Sequence, residues 1–173
     1  MSHLAEFRAE KDTFFGRDEN SPLTDRQRTI FDGLCYFDEA PELVFKLTPN
    51  PVNDRTQVDI PVTTGGTTST HRWATVSFAI DGQQSTLTIF REEEDGPMFL
   101  PFRDATAGEE SYATGRYVEV HILEDGDIWL DFNYAYNPYC AYNDMWTCPI
   151  PPPENRISAP IRAGERAFSD AAH

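Results

Sequence analysis

Three carboxylates, one arginine, three asparagines and a pair of cysteines carry most of the chemistry available to this chain. They crowd between Asp104 and Asn155. Glu119 and Asp131 are the candidate catalytic residues, because two acids held close together split their pKa values and leave one as acid and one as base. Asp104, Arg116, Asn133, Asn137 and Asn155 are candidate ligand-binding residues that supply fixed donors and acceptors. Tyr139 and Tyr142 supply walls and Cys140 a thiol, completing a polar and aromatic pocket for a small molecule. A plainer reading stands beside this one. Asn and Asp in loops commonly cap turns and satisfy backbone groups, and Glu119 with Asp131 fits an acidic face in solvent.

Cys140 and Cys148 admit three states: packed free thiols, a disulfide, or metal ligands. There is no C-x-x-C, and His71 and His121 lie far off in sequence, so no metal site is assigned. A nucleophilic Cys140 needs a base. His121 is the one histidine near the proposed site, but it belongs at the turn end of its strand, whereas Cys140 lies beyond the opposite end of the partner strand. No G-x-S-x-G, phosphate-binding loop, H-E-x-x-H or dinucleotide fingerprint occurs. No particular cofactor is implied.

The element that would position these groups is a hairpin over 116–133. A three-residue Glu124-Asp125-Gly126 loop, with Gly126 left-handed, pairs Ile122 with Ile128, Val120 with Leu130 and Val118 with Phe132. Every apolar residue then shares one face. The opposite face carries Tyr117, Glu119, His121, Trp129, Asp131 and Asn133, with Glu119 directly across from Asp131. Like charges across a pair are destabilising and call for compensation. Arg116 points to the apolar side, opposite Tyr134, and needs a carboxylate or carbonyls there. Asp104 or Glu154 would serve. The aromatic exit loop, 134–142, holds the pocket.

The other elements follow from periodicity and turn chemistry. Leu4 to Phe15 reads as a helix ended by Gly16, with Leu4, Phe7, Lys11, Phe14 and Phe15 near one stripe. Thr24 opens a second short helix, with Gln27 at the capping-box position and Gly33 at its end. Both helices are expected to pack on a sheet through their Phe residues. Strands are expected over 43–47 and 57–62, and 64–70 is expected to be a flexible connection. A hairpin over 73–90 turns at Asp81-Gly82, which pairs Phe78 with Ser85, Val76 with Leu87 and Ala74 with Ile89.

The 173 residues carry a net charge of −15 with a pI near 4.5. Lys11 and Lys46 are the only lysines among the cations. An acidic surface repels nucleic acid and anionic membranes, so neither is an expected partner; the oligomeric state is open. No apolar run approaches the length of a membrane span. The first residues lack the pattern of a secretion signal, and an odd number of cysteines suits a reducing compartment, so a cytoplasmic location is expected. Many carboxylates with few lysines fit either a salt-adapted protein or an ordinary acidic one. A melting temperature that rises from low to molar KCl should mark the former; a fall marks the latter.

The pattern Phe102-x-Asp104-x-Thr106-x-Gly108, Gly115-Arg116-Tyr117, Leu130-Asp131-Phe132-Asn133, Tyr136-Asn137-Pro138-x-Cys140-Ala141-Tyr142, Cys148-Pro149, Pro152-Pro153-Glu154-Asn155 and Ala163-Gly164-Glu165 resembles the bacterial and archaeal domain-of-unknown-function family 1684. Phe14-Phe15, Ser21-Pro22-Leu23 and Phe31-x-Gly33-Leu34-x-Tyr36-Phe37 extend the resemblance over nearly the whole chain. It implies a compact domain, alone or behind an export signal, and supplies no activity. The expected fold is mainly β (α+β): an antiparallel bent sheet or partly closed barrel with one or two short N-terminal helices. One domain is expected over 1–168, with a flexible tail at 169–173. The expected function is a small-molecule-binding domain, with catalysis left open. The alternatives are a non-catalytic structural or interaction module and a metal-dependent hydrolase.

Overall fold

A computed structural model describes residues 1–54 and 56–169; of the expected tail, residues 170–173 lie outside the described residues. Two helices come first, α1 (His3–Arg17) and α2 (Asp25–Ile30). The strands follow as β1 (Val44–Leu47), β2 (Asn50–Pro51), β3 (Gln57–Pro61), β4 (Thr67–Ile80) and β5 (Gln83–Arg91). They continue as β6 (Met98–Phe102), β7 (Arg116–Val118), β8 (His121–Ile122) and β9 (Ile128–Asp131).

The β4–β5 hairpin is the longest pairing. Asp81 (φ 50°) and Gly82 (φ 77°) take the two positive-φ positions of the turn. The register then pairs Phe78 with Ser85, Val76 with Leu87 and Ala74 with Ile89, as expected. A register shift between Arg72 and Ala74 bends β4. The expected flexible connection at 64–70 is only partly one: β4 already begins at Thr67 and pairs with β3.

Two antiparallel sheets result. The larger runs β2-β4-β5-β6-β7, with β3 also on β4, and the smaller runs β1-β9-β8. Both ends of each path remain edges, so the fold is bent but does not close into a barrel. Phe45 of β1 meets Phe78 of β4 at 5.0 Å, and Phe132 meets Phe78 at 5.5 Å and Phe102 at 5.3 Å between ring centroids. These rings hold the two sheets together over one apolar core.

The expected 116–133 hairpin splits. Its tip is as read: Gly126 has φ 86°, and His121 pairs with Trp129 and Ile122 with Ile128. Beyond it the register fails. Asp131 accepts from the Asn133 amide at 2.9 Å and starts a 3-10 turn over Phe132–Tyr134. That turn removes Phe132 from the strand, so Val118 does not face it. Residues 116–118 pair with β6 instead, and Tyr117 exchanges both backbone hydrogen bonds with Tyr136 rather than facing Asn133. Strand β9 pairs with β1 on its other side. Ile122 is 48 % exposed rather than inward.

The helices also pack differently from expectation. Ser2 caps α1, which runs through Gly16 to Arg17. The Thr24–Gln27 capping box is present, but α2 ends at Ile30, before Gly33. Phe15 joins Leu23 and Tyr142 in a small second core, with Phe14, Phe31, Leu34 and Phe168 against it. The aromatic stripe of α1 therefore docks on the 134–142 loop and α2, not on a sheet. Among the described residues no helix is long and apolar enough to cross a membrane.

Gly164 anchors the last segment to the rest. At φ 76° an added Cβ would lie 2.6 Å from Ala135 O and 2.9 Å from Phe132 O. Its own carbonyl accepts from Phe37 N at 2.9 Å. Gly164→Ala should lower unfolding free energy by about 2 kcal/mol or more, from positive-φ strain plus the backbone clash. Urea unfolding measures it; a loss under about 0.5 kcal/mol would show that the segment yields freely.

Candidate functional site

Arg116 leaves β7 with its side chain fully buried. Its Nη1 donates to Ala163 O at 2.6 Å and Glu165 O at 3.0 Å; its Nη2 donates to Ile161 O at 2.8 Å and Asp104 Oδ1 at 3.4 Å. Asp104 also accepts from Ile161 N at 2.6 Å and from Thr106. Of the two expected partners, Asp104 is present. Glu154 instead pairs with Arg72 at 2.9 Å. Burial pulls the Arg116 pKa down, and Asp104 opposes that shift. Arg116 and Asp104 form a structural node beneath the surface and line neither the cleft beside α1 nor the one beside Cys140.

Two of the asparagines are clips of the same kind. Asn155 accepts from Thr88 N at 2.8 Å and donates to Thr88 O and Pro101 O at 2.8 and 2.7 Å, locking β5 to β6. Asn133 does this for Ala40, at 2.8 and 3.0 Å. Both are buried with oxygen and nitrogen of the amide already bonded within the protein, so neither has a group left for a ligand.

Glu119 and Asp131 are not a pair. Glu119 lies on an exposed break after β7, where it accepts from Tyr136 Oη at 3.2 Å. Asp131 is engaged by Asn133 N and Nδ2 at 2.9 and 3.0 Å. The expected repulsion, and the acid/base pair drawn from it, disappear because the 3-10 turn ends β9 at Asp131.

An open cleft of about 700 Å³ lies between α1 and the exit loop. Phe7, Phe14 and Phe15 form the α1 wall; Tyr134, Tyr136 and Tyr139 form the loop wall, with Glu10, Glu119 and His121 also lining it. Beneath it, Lys11 pairs with Glu165, whose side chain is 1 % exposed. The Lys11 ammonium lies 5.1 Å from the Tyr136 ring centroid and 5.6 Å from that of Phe15. Glu165 also accepts from Tyr142 Oη and from Asn137 N, the latter at 3.2 Å. Asn137 Nδ2 donates to Arg166 O at 2.9 Å, which fixes the amide orientation. Its buried Oδ1 then has no hydrogen-bond partner among the described residues. Burial, then Glu119, push the Tyr136 phenol well above its ordinary value.

Of the sequence candidates, the structure brings Glu119, Asn137 and Tyr139 to this cleft. Cys140 and Tyr142 line a second, polar cleft of about 410 Å³, with Thr24, Arg26, Gln27 and Asn143. Sequence reasoning missed Lys11 and Glu165. One of only two lysines, set in an aromatic helical stripe, was the available signal for the first. Nothing local marked its partner.

Cys140, Cys148 and Cys35 are free thiols. Cys140 is half-buried in the 3-10 turn Tyr139–Ala141, while Cys148 is buried and held to Thr63 by backbone hydrogen bonds. Tyr112 Oη lies 3.6 Å from Cys140 Sγ. A hydrogen bond with Cys148, chiefly, brings the Cys140 thiol down to about 6 against the opposing effect of burial. The same bond drives Cys148 far up. His121 plays no part in this activation. Among the described residues no group of three or more His, Cys, Asp or Glu side chains is placed to hold a metal ion.

The node around Arg116 depends on a planar fork that reaches four oxygens. Lysine keeps the charge but cannot span Asp104 and three carbonyls. Arg116→Lys should therefore cost about 2–3 kcal/mol of stability. Denaturant unfolding with an unchanged m-value is the check; near-neutrality would mean that the fork geometry is dispensable.

Comparison with known proteins identifies a family and similar solved structures. The model of the family described as Protein of unknown function (DUF1684) matches residues 29–166. The solution NMR structure of an uncharacterized protein of Haloarcula marismortui is similar to this chain at 40% sequence identity, with a TM-score of 0.72. The likeness covers 98% of this chain and 94% of that one. No curated protein matches. The family match includes the loop wall, Glu165 and both Cys140 and Cys148 but begins after α1. With most of its length matched, the chain belongs to the DUF1684 family of proteins of unknown function.

Proposed function

We propose that this protein is a small-molecule-binding domain and that its site is the cleft between α1 and residues 134–139. The reading rests on one observation: an open, aromatic-walled cleft of about 700 Å³ lined by Asn137, whose buried Oδ1 is unpaired. A buried acceptor without a donor is destabilising by about 1–3 kcal/mol, and a ligand donor would relieve it. Six aromatic side chains line the interior, and ring faces attract cations. Glu10 and Glu119 add negative charge at the same cleft. Lys11 already sits over the Tyr136 ring, so this environment accommodates a positive group. The ligand class is thus a compact organic cation, with an apolar body and a hydrogen-bond donor.

The reading keeps the expected exit loop but drops Arg116 and Asp104, which are buried and do not line the cleft. A non-catalytic interaction module is favoured by a separate feature, the exposure of Phe7 and Tyr139 at 37% and 38%. Both side chains line the same cleft, so one experiment serves both readings.

Choline and benzyltrimethylammonium, set against the neutral choline isostere 3,3-dimethylbutanol, test the proposal by NMR titration. The cations should shift resonances of Tyr134, Tyr136 and Asn137. Phe7→Ala and Glu119→Gln should each weaken binding about fivefold, the scale of roughly 1 kcal/mol for a half-exposed cation contact. Equal binding of the neutral isostere would remove the cation from the reading. No response from these residues to any probe would leave the interaction module as the better account.

A further inference from the structure

A cavity of about 240 Å³ lies on the larger sheet, lined by His71, Arg72, Trp73, Arg91, Glu93 and Glu94. It shares no lining residue with the cleft beside α1. The register shift of β4 shapes it. Trp73 is the extra residue between Arg72, opposite Phe90, and Ala74, opposite Ile89. A bulge of this kind re-aims a side chain. Arg91, the last residue of β5, lies opposite His71, and its guanidinium stands 5.4 Å from the Trp73 ring centroid. Backbone contacts fix both residues: Thr70 Oγ1 donates to Arg91 O at 2.7 Å, and Val52 N donates to Trp73 O at 3.2 Å.

The two arginines of this cavity differ in what they bind. Arg72 turns one edge of its guanidinium to Glu154, with Nε donating at 3.0 Å and Nη2 at 2.9 Å. Arg91 is half-buried, and its side chain makes one hydrogen bond, from Nη1 to Glu94 O at 3.0 Å. Among the described residues neither its Nε, which is buried, nor its Nη2 meets an acceptor, and no carboxylate forms an ion pair with it. Arg8 and Arg116 also have an unpartnered Nε, but both terminal nitrogens of each are bonded within the protein. Arg91 thus presents to a cavity the same edge that Arg72 uses, with nothing on it. This occurs in a chain of 29 acidic and 14 basic residues, where a carboxylate partner is seldom lacking.

We propose that this cavity binds a small monocarboxylate with an apolar body. The carboxylate takes the Nε–Nη2 edge of Arg91, as Glu154 takes that of Arg72, and the apolar body lies against Trp73. A guanidinium edge is a planar fork matched to two carboxylate oxygens, and the resulting hydrogen bonds are charge-assisted. The volume is below the roughly 300–1,000 Å³ of pockets for drug-sized ligands, so the ligand is smaller than these. Exposed Glu93 and Glu94 at the same cavity repel a second negative charge. They select a singly charged acid over a phosphate or a dicarboxylate.

The test is NMR titration of the full chain at constant ionic strength with benzoate, acetate, benzamide and chloride. Benzoate should saturate by about 10 mM. It should shift the Arg91 Nε–H resonance and, of the three tryptophans, the Trp73 indole alone. Neutral benzamide, ring-free acetate and chloride should each bind about tenfold more weakly or worse. Arg91→Lys keeps the charge but loses the fork, and should weaken benzoate about tenfold. Glu94→Gln removes a repelling charge and should tighten it about twofold. The measurements on the unmodified protein do not depend on whether either substitution folds. The proposal is overturned if benzoate moves neither Arg91 nor Trp73, or if benzamide binds as well. Chloride matching benzoate would reduce the cavity to an unselective anion site and overturn it too, as would undiminished benzoate binding to folded Arg91→Lys. Tyr134 and Tyr136 should not respond to benzoate, which keeps this result separate from that for the cleft beside α1.

Discussion

A guanidinium without solvent contact is the constraint on which this structure turns. An unpaired charge in a protein interior is prohibitively unfavourable, and even a paired one is tolerated only when its donors are satisfied. Arg116 meets that condition at its two terminal nitrogens, through Asp104 and the carbonyls of Ile161, Ala163 and Glu165, while its Nε has no hydrogen-bond partner among the described residues. Those oxygens come from two otherwise irregular stretches. The 103–114 loop and the 159–166 segment are thereby held against β7 without forming a strand pair with it. Removing this centre would leave Asp104 buried without its charged partner, although Thr106 and Ile161 N would still bind it.

Glu165 carries the constraint outward. Its carbonyl binds Arg116, while its carboxylate binds Lys11 and Tyr142 and accepts the Asn137 amide. One residue thus connects the buried node to helix α1 and to the aromatic loop. The cleft exists because α1 is held at Lys11 and at its Phe15 end, while Phe7 approaches Tyr134 at 5.0 Å. Aromatic contacts of this geometry contribute about 1 kcal/mol each beyond their burial, so α1 is positioned by several modest contacts and one buried ion pair.

The loop that forms the outer wall also organises the thiols. Pro138 precedes the single turn containing Cys140, and Tyr139 in that turn meets both Phe15 and Trp146. Thr63, at the end of the β3 hairpin, fixes Cys148. The aromatic cleft and Cys140 therefore share one loop, with separate linings: Phe and Tyr rings on one side, amides, Arg26 and Asp144 on the other.

Local rules determined much of this from the sequence alone. Asp81-Gly82 and Gly126 set two turns, and a period of two set the residues facing each other across them. Thr24 with Gln27 capped α2 within four residues. Even Arg116 announced its need for a carboxylate or carbonyls, with Asp104 or Glu154 as candidates, because a charge on an apolar face has few acceptable neighbours. Tertiary structure decided what local rules leave degenerate. Whether Phe132 extends a strand or turns away depends on Asp131 capping Asn133 and on β1 and β6 competing for the same strands; that choice separated Glu119 from Asp131. Where α1 docks depends on Lys11 meeting Glu165, far along the chain. Amphipathic spacing marks a face for burial but does not name the surface that receives it. The partner is selected by shape, charge and the competing contacts of the whole chain. For that reason the cleft and the Lys11–Glu165 pair became legible only in three dimensions.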